Sequence, residues 1–182
     1  ALVGDLSAYG EGYGLESIVE KMLGQWDGNE IETLCYPNVE YAGAKQLWHE
    51  MQRDQVVMAY VAPSISRLDP AYDEVLLLDE ILTGGSSGAM SSRLFKLREQ
   101  TGLFYTIGGS LMASAGHAPG MTFIRTLISP GNIKQSEIVI IDALENLAKN
   151  GVTQEELDCA KRAVMQGIIS HFESNNKIAA VF

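Results

Sequence analysis

The chain has 182 residues, 46% hydrophobic and 20% charged, with 13 basic against 23 acidic side chains and a formal net charge of -10. That length suits a single domain able to bury roughly 70% of its unfolded surface, and the composition excludes a disordered or low-complexity protein. The acidic excess repels phosphate backbones, which argues against a nucleic-acid partner, and no apolar run approaches the ~20 residues that a membrane helix needs.

Taken in order, Ala1-Leu2-Val3-Gly4 reads as a strand that begins at the first residue. Domain boundaries normally fall in exposed linkers, so the expectation is a piece of a longer protein. Leu15, Ile18, Val19, Met22 and Leu23 recur at helical spacing and predict a helix ending near Gly24. From Asp27 to Gly43 there is no period, only turn material. Ala44–Met51 and Gln55–Ala62 read as two strands joined through Gln52-Arg53-Asp54. The second is apolar at both parities, which predicts a central strand buried on both faces.

Asp69-Pro70 supplies a capping oxygen followed by a first-turn proline, and predicts a helix whose inner face carries Ala71, Val75, Leu78 and Leu82. Three glycines, Gly84, Gly85 and Gly88, then crowd a serine-containing loop, a composition that costs too much backbone entropy for a regular element. Ser91 or Ser92 can cap a short helix with Leu94 and Leu97 inward and Gly102 at its end. A strand over 103–112 follows, with Leu103, Tyr105, Ile107 and Leu111 sharing one parity. Met121–Ser129 is a second strand, predicted antiparallel to the first.

Ile138, Ile141, Leu144 and Ala148 predict a long helix stopped at Gly151. Thr153 and Glu156 form a capping box for another, with Leu157, Ala160, Val164 and Ile168 inward. Hairpin-linked strands with grouped helices predict an α+β two-layer sandwich: one mainly antiparallel sheet carrying helices on one face.

Within this order, Met90-Ser91-Ser92-Arg93-Leu94-Phe95, then Leu97-Arg98-Glu99, then Gly102-Leu103-Phe104-Tyr105 resembles the signature in the non-catalytic half of the pitrilysin/insulinase zinc peptidases. Asp54-Gln55 and Gly151–Leu157 with Ala160-Lys161 are weaker echoes in the same order. The resemblance implies the same α+β fold and gives roles to particular residues. Arg98 and Tyr105 would reach towards the zinc site of a partnering domain, bind the substrate backbone and help to stabilise the tetrahedral intermediate. A guanidinium and a phenol are both donors suited to a developing oxyanion. Read without the resemblance, Tyr105 is a core residue by parity and Arg98 an ordinary arginine near a helix end. Arg93 reads as structural, tying helix to sheet.

The zinc chemistry of such peptidases requires H-x-x-E-H, and this motif is missing from the sequence. His49, His117 and His171 are scattered, and Cys35 and Cys159 lack metal-type spacing; two lone thiols favour a reducing compartment, cytoplasm or organelle matrix. No serine or cysteine nucleophile motif is present. The loop of Gly84, Gly85 and Gly88 is a candidate substrate-binding surface. As a phosphate cradle it lacks the P-loop ending, and Asp79 and Glu80 precede it.

Two functions remain open. The chain is either the substrate-binding, non-catalytic domain of a zinc metalloendopeptidase, or a domain of an inactive relative that serves as a partner subunit or scaffold. On either reading it holds no cofactor itself; on the first, zinc is expected in the missing catalytic domain. The partners implied are a peptide substrate, a zinc-bearing peptidase domain of the same or another chain, and a second copy in a homodimer.

Overall fold

The computed structural model describes residues 14–26, 28, 43–85 and 88–181. The expected strand at Ala1–Gly4, Cys35 and most of the 27–43 connection lie outside these residues. The chain resolves into two compact units. The first, residues 1–37 with 168–182, contains helix α1 (Leu15–Leu23) and helix α6 (Asn175–Val181). α6 follows Ser174, whose Oγ accepts from the Lys177 amide at 3.3 Å, a local cap.

The second unit, residues 38–167, holds a three-stranded antiparallel sheet in the order β1 (Val56–Pro63), β3 (Met121–Ile128), β2 (Phe104–Ala113). Around it are helices α2 (Tyr72–Thr83), α3 (Arg93–Thr101), α4 (Ile133–Asn150) and most of α5 (Gln154–Ser170). This is the α+β arrangement the element order predicts. The core lies on one side of the sheet, where Ile124 meets Leu82 and Leu94, and Ile128 meets Phe104 and Ile140. Each such fully buried side chain contributes roughly 1.5–3 kcal/mol through removal from water.

The expected strand over Ala44–Met51 does not form. Residues 43–53 have no regular structure and are exposed, with Leu47 at 93% of its full accessibility. Among the described residues β1 pairs with β3 alone, so it is an edge strand instead of a central one. Its residues alternate between half-buried and exposed, and Val57 and Val61 face outward. The apolar residues at both parities signal β-branched strand chemistry here, not burial on both faces.

α2 places Val75, Leu78 and Leu82 inward as expected, but starts two residues after Pro70. Asp69 lies two residues before the N-cap position, its Oδ1 accepting from the Ala71 amide at 2.9 Å. Ala71 is therefore an exposed flanking residue. At the other end of α2, Asp79 is buried and its carboxylate is fully engaged. It accepts from the Leu111 amide at 2.8 Å, Ser110 Oγ at 3.1 Å and Thr83 Oγ1 at 2.8 Å, tying the helix to β2.

α4 is rotated from its expected phase. Ser136 and Ile140 are fully buried and Leu144 and Leu147 pack on the core, whereas Ile138, Ile141 and Ala148 are exposed. A serine in the buried stripe hides the true face from a hydrophobic count. In α5, Ala160 is buried and Ile168 is exposed, so the inward stripe ends before the helix does.

Candidate functional site

The site is built on α3 and the start of β2. Ser92 caps α3 with its side chain, accepting from the Phe95 amide at 3.4 Å, and Leu94 is buried with Leu97 packed against both parts of the core. Gly102 ends the helix at φ 63, a left-handed turn that glycine adopts without Cβ strain and that reverses the chain into β2.

Both ends of α3 are held by arginines. Arg93 Nε and Nη2 each donate at 2.8 Å to the two oxygens of Glu156, and Nη2 also donates to the Gly151 carbonyl at 2.9 Å. Arg93 thus ties α3 to the start of α5, a helix-to-helix link where the sequence reading expected helix to sheet. Glu156 is also the capping-box acid: it accepts from the Thr153 amide at 2.8 Å while its own amide donates to Thr153 Oγ1 at 3.2 Å. The bidentate Arg93 contact, followed by the Thr153 bonds, lowers the Glu156 carboxyl pKa to about 2.

At the other end, Arg98 Nε donates to the main-chain carbonyl of Tyr105 at 3.0 Å and Nη1 to Glu99 Oε1 at 3.1 Å, with the guanidinium 5.8 Å from the Phe95 ring centroid. β2 carries a bulge here. The register passes from Phe104 opposite Ile128 to Thr106 opposite Leu127, leaving Tyr105 as the extra residue. The insertion resets the alternation. Phe104 is buried and Ile107 packs inward, while Tyr105 turns out to 66% exposure. Parity alone, which groups Tyr105 with Leu103, Ile107 and Leu111, therefore misassigns it. Arg98 and Tyr105 are brought together in a shallow depression of about 320 Å³, with Gln55, Ser129 and Asn132 around them. Those three come from distant stretches; Gln55 stands in the Asp54-Gln55 echo of the motif, which assigns it no site role, and no spacing points to Ser129 or Asn132.

The glycine loop has a clear conformational demand. Gly84 and Gly85 have φ of 90 and 50, and a Cβ on Gly84 would meet the Ala89 amide nitrogen at 2.6 Å. Their amides turn inward, Gly84 to the Glu80 carbonyl and Gly85 to Thr83 Oγ1. Gly88, at φ 63, is exposed with open space where a Cβ would stand. A second depression of about 350 Å³ lies among α2, α3 and α5 and includes Glu80, Lys96, Glu155 and Cys159; it shares no residue with the one at Tyr105.

Among the described residues no group of three histidine, cysteine, aspartate or glutamate side chains could hold a metal ion. His49, His117 and His171 are all exposed. The donor set among the described residues does not fit a zinc ion. No described helix is long and apolar enough to cross a membrane.

Residues 5–164 match the sequence model of the Peptidase M16 inactive domain, and the chain belongs to that family. An uncharacterized zinc protease of Mycobacterium leprae is 32% identical over 97 residues, 53% of this chain and 21% of that protein. The crystal structure of a peptidase M16 inactive domain from Pseudomonas fluorescens superposes with a TM-score of 0.62 at 29% identity, over 71% of this chain and 30% of that one. The inactive peptidase domain of a candidate zinc protease from Bordetella parapertussis superposes with a TM-score of 0.58 at 19% identity, over 70% of this chain and 67% of that one, a likeness of fold. The chain therefore spans less than a third of the length of the M. leprae and P. fluorescens proteins.

Proposed function

We propose that this chain is the substrate-binding, non-catalytic domain of a zinc metalloendopeptidase, completed by a zinc-bearing peptidase domain of the same or a partner chain. The observation that carries the reading is the bulge that lifts Tyr105 out of the core, with its main-chain carbonyl bonded to Arg98 and both residues lining one depression. A phenolic O–H is a donor for the oxyanion of a tetrahedral intermediate, and the outward edge of the guanidinium can hold a substrate carbonyl before chemistry begins. Gly88, exposed and without a side chain, offers the peptide a point of close approach, whereas Gly84 and Gly85 serve the turn.

Tyr105→Phe tests this in the peptidase assembled with its zinc-bearing domain. The substitution keeps the ring and removes one donor, and loss of one oxyanion donor costs about 2.7–4 kcal/mol, so turnover should fall roughly a hundredfold or more with the fold unchanged. Arg98→Ala should weaken peptide binding. Wild-type turnover in Tyr105→Phe would sink this role and return Tyr105 and Arg98 to structural residues, whereas an assembled parent with no turnover at all would favour the scaffold or partner-subunit alternative.

A further inference from the structure

We propose that Arg98 also acts as a positioning residue, because its Nε–H pins the Tyr105 main-chain carbonyl and so sets the direction of the phenol. The proposal rests on Tyr105 being the substrate-facing donor. No β3 residue stands opposite Tyr105, because the register skips from Phe104 to Thr106. An extra residue in an edge strand lacks the cross-strand pairing that fixes its neighbours. Arg98 contributes a substitute restraint, a 3.0 Å bond reaching seven residues forward across the Gly102 turn. A bond from a charged donor is stronger than an amide–amide one.

The guanidinium is itself oriented. Nη1 is held by Glu99 at 3.1 Å, and the Phe95 ring lies 5.8 Å away. With the guanidinium contacted in this way, Nε addresses the carbonyl while Nη1 is engaged by Glu99. The side chain is 39% exposed, so substitution there leaves the core untouched.

Two substitutions separate the pin from the charge. In Arg98→Gln the amide nitrogen occupies the place of Nε along the side chain, so an N–H donor survives and the charge is lost. In Arg98→Lys the charge survives and a methylene takes the place of Nε. The direct readout uses the chain with a ¹³C carbonyl at Tyr105 and ¹⁵N-arginine. The wild type should show a coupling across the hydrogen bond between Arg98 Nε and the Tyr105 carbonyl. Arg98→Gln should keep most of the hydrogen-bonded carbonyl shift through its weaker neutral donor, whereas Arg98→Lys should move it to that of an unbonded carbonyl.

In the assembled peptidase, Arg98→Lys should lower kcat roughly tenfold or more with little change in KM, the scale expected for losing a charge-assisted bond. Arg98→Gln should raise KM and hold kcat. An unchanged carbonyl shift in Arg98→Lys, or the opposite split of kcat and KM, overturns the proposal. The two readings fail separately. If Tyr105→Phe retains turnover, the functional reading falls while the carbonyl shift still decides the pin. If Tyr105→Phe is impaired and Arg98→Lys leaves the shift unmoved, only the pin falls.

Discussion

Glu156 joins α5 to α3 through its own ionisation, so its substitution should produce a stability loss that depends on pH. In Glu156→Gln one oxygen replaces two, and the amide group must face either the Arg93 guanidinium or the Thr153 amide, both donors. The carboxyl pKa drops from an ordinary 4.5 to about 2 in the folded chain, chiefly through the Arg93 bonds. Each pKa unit corresponds to about 1.4 kcal/mol, and after allowance for solvent screening the ionised carboxylate contributes about 2 kcal/mol. A depressed carboxyl pKa stabilises fully above the unfolded value, and this contribution is lost as pH falls from there towards the folded value. Urea melts of wild type and Glu156→Gln should therefore differ by about 2 kcal/mol near pH 7, and by about half of that or less near pH 3. A gap of the same size at both pH values, or one under about 0.5 kcal/mol near neutrality, would refute the assignment of the stabilisation to this carboxylate.

Leu97→Ala should cost about 2–3 kcal/mol in the same melts, because Leu97 touches both parts of the core; a loss under about 0.5 kcal/mol would place it on the surface. Asp79→Ala strands the Leu111 amide and should cost about 1–3 kcal/mol, whereas an unchanged midpoint would mean that water replaces the carboxylate freely. Gly84→Ala should destabilise by about 1–3 kcal/mol, since φ is 90 and the new methyl meets the Ala89 amide; a neutral result would show that the turn reshapes at little cost. Purified chain analysed for metal should return no stoichiometric zinc, and one tightly held ion per chain requiring His49, His117 or His171 would contradict this.

What the sequence discloses follows the range of the interaction involved. The Ser92 cap, the Gly102 stop and the Thr153–Glu156 box act over two to four residues, and each is found where its local pattern puts it. Strands β2 and β3 are likewise legible from period-two runs. The Arg93–Glu156 pair spans 63 positions, and no spacing rule reaches that far. Ser136 in the buried stripe of α4 misled the helix phase, because hydrophobicity cannot announce a polar residue that will be covered. Val57 and Val61 misled in the opposite sense: β-branched residues favour strands whether or not a layer lies above them. The bulge at Tyr105 left no compositional mark, since it needs no glycine, and one unpaired residue suffices to invert the faces of everything before it. Arg98 and Tyr105 were legible as a pair through the motif alone. Ser129 and Asn132, which complete their surroundings with Gln55, were not.

Helix α3 is fastened at Arg93 to one helix and at Arg98 to the strand that follows it. Held at both ends, α3 fixes the backbone at Tyr105 as the chain folds. On the proposed reading, a substrate meeting Tyr105 would give up its own freedom without also having to order this stretch of backbone. The same fastening couples two effects: a lesion at Glu156, far along the chain from Tyr105, should free one end of α3 at the same time as it lowers stability, so the surface at Tyr105 and the fold that carries it loosen together.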